Sequence, residues 1–256
     1  MSASAAARAT KAVADCGRRR SSGSARRRRD PEEGMSGLSP EWGTVDLAPP
    51  MNQHGILSHV SAAKTPPIGG FFLGEADGRH VEALIEEACG TDDTLREHSL
   101  NVAATAVLVG TSLSLSGRDL EILELAATVH DVGKLHVRPD ILAKPGPLND
   151  EEWQEMRRHP VRGAELLAGH VPTDVLEIVR SHHERWDGAG YPDGLAGKAI
   201  PLGARIIAVV DAFCAMLESR PYRPATRRAA ARAELLAQAD RQFDAACAWA
   251  AYRVTA

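Results

Sequence analysis

The 256-residue chain is long enough for one good-sized domain or two small ones. Its 44% hydrophobic and only 4% aromatic content leaves the core to Leu, Val, Ile and Ala, a composition that suits helices. The net charge of −4 is uneven: residues 1–34 hold nine Lys/Arg against four Asp/Glu, so the remainder stands at −9, and an acidic body excludes a broad nucleic-acid-binding face. Cys16, Cys89, Cys214 and Cys247 form no C-x-x-C pair and read as reduced thiols of a cytoplasmic protein, and no stretch approaches the ~18 apolar residues of a membrane span.

Residues 1–77 are rich in Ser, Arg, Gly, Pro and Ala without apolar periodicity, and read as a disordered basic leader and linker. From residue 78 the spacing turns helical. His80–Ala88 is a short amphipathic segment, and Leu95 to Leu115 carries Val102, Ala106 and Val109 at helical spacing. Ser116, with Asp119 three residues on, predicts an N-cap for Asp119–His130, and Asn149 with Glu152 predicts a capping box opening Asp150–Arg158. Thr173 is expected to cap Asp174–Glu184, Pro201 to open a helix running to Leu217, and Thr226 to cap Arg227–Ala239. Phe243–Tyr252 completes the series. Alternating strand patterns are absent, so residues 78–252 are expected to form an all-α helical bundle.

Three clusters stand out on that scaffold. His130-Asp131-Val132-Gly133-Lys134 closes an apolar helix. His182-His183-Glu184 ends another and runs into Asp187-Gly188-Ala189-Gly190-Tyr191-Pro192. Asp211 lies within an apolar helix between Val210 and Ala212. A lone inward histidine is most simply a satisfied core residue. An ionised carboxylate in a core, however, needs a cation or several hydrogen bonds. Several such groups, with too few Lys/Arg on the same faces to neutralise them, point to bound metal. Imidazole mixed with carboxylate, without cysteine, suits Fe, Mn or Zn. Residue chemistry alone therefore reaches a His/Asp metal site beside a glycine-rich loop and names no substrate.

His130-Asp131 with Gly133-Lys134 resembles the HD-x-G-K signature of the HD superfamily of metal phosphohydrolases. His182-His183-Glu184…Asp187-Gly188…Gly190-Tyr191-Pro192 resembles the longer HHE-x-x-DG-x-GYP signature of its HD-GYP group. The similarity runs from His98 to Phe243-Asp244. It implies a bundle of the HD-GYP type and hydrolysis of cyclic di-GMP to the linear dinucleotide. It also implies two divalent ions, Fe or Mn, held by His98, His130, Asp131, His159, His182, His183 and Asp211, with Asp131 bridging. By the same resemblance Asp131 and Lys134 are catalytic, and Tyr191, Arg220, Arg223, Gly188 and Gly190 meet substrate. Glu184 and Asp187 are expected to fix the imidazoles or the loop. A homodimer or a signalling partner protein is compatible with this reading.

Two positions depart from the pattern. Cys214 stands where the family usually has an Asp, one turn from Asp211, and Thr94 stands where some members have a Glu, one turn before His98. A neutral hydroxyl is a poor ligand for a divalent cation, hence the expectation of two metals and not three. Cys214 keeps open a catalytically weak module that binds cyclic dinucleotide and signals through a partner. An HD hydrolase of another phosphoester is a third reading.

Overall fold

The computed structural model of the chain describes residues 73–90, 93–218 and 225–256, excepting the side chains of Cys89, Asp93 and Thr94. Residues 1–72 of the expected leader, together with Arg220 and Arg223, lie outside the described residues.

The helices are α1 (Glu75–Cys89), α2 (Asp93–Ser112), α3 (Arg118–Val129), α4 (Pro139–Leu142), α5 (Asp150–Met156), α6 (His159–Leu167), α7 (Thr173–Ser181), α8 (Leu202–Leu217), α9 (Arg228–Ala237) and α10 (Ala245–Val254). A 3₁₀ turn, Val132–His136, follows α3. No strand occurs among the described residues, whose one bridge joins Ala239 and Phe243. The all-α bundle expected from the sequence is the fold that forms.

Apolar side chains at helical spacing explain the packing. Val102, Ala106 and Val109 of α2 are fully buried against Leu123 and Ala126 of α3 and against Ile206, Val210 and Phe213 of α8. α7 closes on α3 and α8 through Val175, Ile178 and Val179, while α9 and α10 also pack on α8. Burial of this Leu/Ile/Val set, worth roughly 1.5–3 kcal/mol per large side chain, supplies the main driving force.

Helix ends differ from expectation in instructive ways. The Asn149/Glu152 capping box forms with both reciprocal bonds, at 2.8 Å each. Ser116 does not cap: α3 starts after Gly117, whose backbone (φ 51°) takes the entry turn with no side-chain cap bond. Thr173 sits inside α7, with Pro172 at the N-cap, and Arg227 replaces Thr226 ahead of α9. A cap left unread is Asp244, whose Oδ1 accepts from Ala246 N at 2.8 Å to start α10. Its Oδ2 accepts from Arg205 Nη1 at 2.6 Å, tying the start of α8 to that of α10.

Candidate metal centre

Five helices deliver the candidate residues to one place. His98 comes from the first turns of α2, His130 and Asp131 from the end of α3, His159 from the start of α6, His182 and His183 from the end of α7, and Asp211 from the middle of α8. Ligand atoms of Asp131, His159, His182 and His183 lie within 4.8 Å of one another, and so do those of His98, His130 and Asp131. Asp131 is the residue common to both groups.

Three of the imidazoles are set by the ends of helices. The last turn of a helix leaves carbonyls without intrahelical partners. His130 Nδ1–H donates to Ala127 O at 2.7 Å, His159 Nδ1–H to Met156 O at 2.8 Å, and His182 Nδ1–H to Val179 O at 2.6 Å. Each ring satisfies a carbonyl three residues back and turns its Nε2 lone pair inward. α7 stops at Ser181 and not at Glu184, with His182 at the C-cap and its ring bonded to Val179 O.

The consequences are electrostatic. His159 Nε2 and His182 Nε2 face each other at 3.3 Å, and with both Nδ1 atoms committed as donors these are two opposed lone pairs. Protonating one ring would relieve the clash, but burial opposes it. Burial holds His159 down to about 3 and His182 well below its ordinary value, the neighbouring His183 adding to both shifts. Burial lowers His183 too. Neutral imidazoles are what a metal requires. For Asp131 burial works to raise the carboxyl, but Lys134 and the surrounding histidines outweigh it and hold it well below the carboxylate range. His130 Nε2 and Asp131 Oδ1 are buried with no hydrogen-bond partner among the described residues. Orphaned buried polar atoms of this kind are rare. Divalent metal held among these groups would satisfy these atoms, so the donor set fits a metal centre.

His98 is held differently. Its Nε2 lies 3.1 Å from Asp211 Oδ1 and its Nδ1–H donates to Glu218 Oε1 at 2.5 Å. Burial works to lower its pKa, but bonds to the two carboxylates raise it to about 10. Asp211, pushed up by burial, is brought below the usual range by His98 and His130. Cys214 is buried and its thiol is pushed up to about 12, first by burial and then by Asp211 and Glu218, so it stays neutral.

Lys134 follows on the 3₁₀ turn, half-exposed, with Nζ 2.5 Å from Asp131 Oδ2. A cleft lined by Ile85, Ser99, Thr128 and Val132 runs up to His98, Asp131 and Lys134. Tyr191 lies with its ring 5.0 Å from that of His183. Burial, then Asp131, raises its phenol above the ordinary range, so it stays protonated.

The signature loop is fixed from within. Glu184 is buried and its Oε1 accepts from Asp193 N at 2.7 Å and Gly194 N at 3.0 Å, while Asp187 accepts from Arg185 and from Ala189 N. Trp186 N and Asp187 N donate to Gln242 O and Arg241 O. Glu184 and Asp187 therefore brace the loop, and helix carbonyls hold the imidazoles. Gly188 takes a left-handed φ of 76°. Gly190 packs on its own chain, where a Cβ would come within 2.4 Å of Arg185 N and 2.5 Å of Glu184 Cα.

Two residues of this region went unread in the sequence. Glu218 is one; its signal was a carboxylate seven residues after Asp211, two helical turns on. Arg157 is the other. Its guanidinium lies 5.4 Å from the Tyr191 ring centre and 5.7 Å from that of the exposed Trp153.

The fold and the centre define a helical domain with a histidine–aspartate cluster organised around one shared carboxylate. The family model for the HD domain matches residues 81–247, and the chain belongs to that family, with the signature of its HD-GYP type. The cyclic di-GMP phosphodiesterase response regulator RpfG of Xanthomonas campestris is 43% identical over 185 residues, covering 68% of this chain and 48% of that one. A cyclic di-GMP phosphodiesterase of Vibrio cholerae is 41% identical over 135 residues (50% of this chain, 27% of the relative). The 3'3'-cGAMP-specific phosphodiesterase 1 of the same organism is 42% identical over 128 residues (50% and 30%). The chain thus spans half or less of the length of these relatives. Two solved structures share the fold. One is Bd1817, an HDG"Y"P protein from Bdellovibrio bacteriovorus, with TM-score 0.54 at 20% identity over 70% of this chain and 61% of that one. The other is the cyclic GMP-AMP specific phosphodiesterase V-cGAP3 of V. cholerae, with TM-score 0.53 at 18% identity over 68% and 47%. No described helix is long and apolar enough to cross a membrane.

Proposed function

We propose that this domain hydrolyses cyclic di-GMP to the linear dinucleotide at a centre holding two divalent ions, Fe or Mn. The observation that carries the reading is Asp131, one carboxylate shared by two ligand groups. Histidine-rich sets with carboxylates suit these metals. Bound there, two such cations supply Lewis acidity and an activated water for in-line phosphodiester cleavage. His98, His130 and Asp211 would hold one ion and His159, His182 and His183 the other, with Asp131 on both.

The remaining residues bind and orient. Lys134, half-exposed beside Asp131, would meet the negative charge of the scissile phosphate. Tyr191, protonated and against His183, would offer substrate an O–H donor and a ring face. Arg157, laid on Tyr191, presents a planar donor fork suited to phosphate oxygens or a guanine edge. Arg220 and Arg223 remain candidates for the same role on the resemblance alone. Arg157→Ala is expected to raise KM about tenfold with kcat nearly unchanged, the pattern of lost uniform binding. A fall in kcat with KM unchanged would instead place Arg157 in the chemistry.

The reading is tested by following cyclic di-GMP and 3'3'-cGAMP with Mn²⁺- or Fe²⁺-loaded protein by timed product chromatography. Linear pGpG is expected to accumulate, with little conversion to mononucleotide, and elemental analysis is expected to give two metals per chain. Faster turnover of 3'3'-cGAMP would reassign the substrate, since relatives of both names exist. Binding of either dinucleotide without turnover would make the domain a binding module. Three tightly held metals would overturn the count read from Thr94.

A further inference from the structure

We propose that Glu218 is the positioning residue for His98, and through it for one of the two metals; the assignment rests on the metal-centre reading above. His130, His159 and His182 stand at helix termini and find their Nδ1 acceptor three residues back in the chain. His98 has no such choice. It lies inside α2, where carbonyls one turn back are engaged in the helix ladder, so its ring needs an acceptor from elsewhere.

α8 provides one. Glu218 is the C-cap of α8, where the backbone turns extended, and it lies seven residues, about two turns, beyond Asp211, which brings both carboxylates to one side of the helix. They bracket the His98 ring, with Asp211 Oδ1 3.1 Å from Nε2 and Glu218 Oε1 2.5 Å from Nδ1. Cys214 lies between them on the same helix and is buried as a neutral thiol. Glu218 is therefore the carboxylate that keeps the proton on Nδ1, so that the proton an incoming cation displaces is the one on Nε2, which faces Asp211. Orienting partners of this kind typically contribute about 10- to 100-fold in metal affinity.

The site the residue serves makes a specific pattern of loss. Mn²⁺ titration of metal-free protein, followed by the electron paramagnetic resonance of free Mn²⁺, resolves two affinities. In Glu218→Ala one Mn²⁺ is expected to weaken about 10- to 100-fold while the other, held by His159, His182 and His183, is unchanged. Glu218→Gln, which keeps an oxygen acceptor for Nδ1–H, should recover most of that loss. A role in packing alone would lower the thermal midpoint and weaken both ions together, and that outcome overturns the proposal, as does unchanged binding in Glu218→Ala.

The contact itself is read without metal. In protein carrying ¹⁵N-histidine, a downfield Nδ1–H resonance of His98 is expected in the parent and absent from Glu218→Ala. Its persistence in that variant overturns the proposal whether or not metal binds. Failure of the parent protein to bind Mn²⁺, with this resonance behaving as expected, would sink the metal reading and leave the His98–Glu218 pairing standing.

Discussion

Asp131→Ala protein is expected to fold, to lose most of its bound metal and to fall in activity by at least about a thousandfold, a change of about 4 kcal/mol in the barrier. The carboxylate gives an oxygen to each ligand group. Without it two like charges would face one another across a few ångströms with no anion between them, a repulsion that grows as the local dielectric falls. The fold has little stake in the residue. Its side chain is 17% exposed, just past the end of α3, and is not one of the apolar side chains that form the core. Helical circular dichroism should therefore persist. Asp131→Asn, equal in shape but uncharged, should be as inactive as the alanine variant. Unchanged metal in folded Asp131→Ala protein would disprove the shared-ligand assignment.

Gly133→Ala is expected to damage fold and centre at once. A Cβ there would come within 2.0 Å of His159 O and 2.4 Å of Gly163 N, both backbone atoms that no rotamer change can move. The 3₁₀ turn and α6 would have to separate, carrying His159 away from Asp131, which now lies 3.3 Å from its Nε2. Overpacking of this severity costs about 3 kcal/mol, or about 6–12 °C in thermal midpoint for a domain of this size. Metal stoichiometry should fall with it. If a melting curve and metal content match those of the parent, the close approach of turn and helix does not exist in solution.

How much of this was legible depends on how local each feature is. The helices were readable because apolar spacing along α2, α3, α7 and α8 matches one buried face, and the Asn149/Glu152 box because both partners lie within one turn. Ser116, Thr173 and Thr226 failed as caps because Gly117, Pro172 and Arg227 set the backbone at those entries. The signature residues were readable as a set, and the structure gathers His98, His130, Asp131, His159, His182 and His183 together, with Asp211 against His98. The supports were not. Glu218 meets His98 across 120 residues, a pairing created by the packing of α2 on α8. Arg157 reaches Tyr191 only once α5 and the signature loop lie side by side. The carbonyl partners of the three helix-end imidazoles were nearer to hand: a histidine just past an apolar helix has an unpaired carbonyl three residues behind it.

That last arrangement has a kinetic consequence. His130 and His182 are each latched to the final turn of the helix they end, and His159 to the carbonyl of Met156 that closes α5. If these rings hold metal as proposed, turning one far enough to release the ion would mean unlatching it and freeing that carbonyl in a place water scarcely reaches, since all three histidines are at most 1% exposed. On that reading, dissociation of metal and fraying of the helix terminus would be one event with one barrier. The off-rate should follow the opening rate of those last turns and so rise steeply with mild denaturant, well before the bundle as a whole gives way.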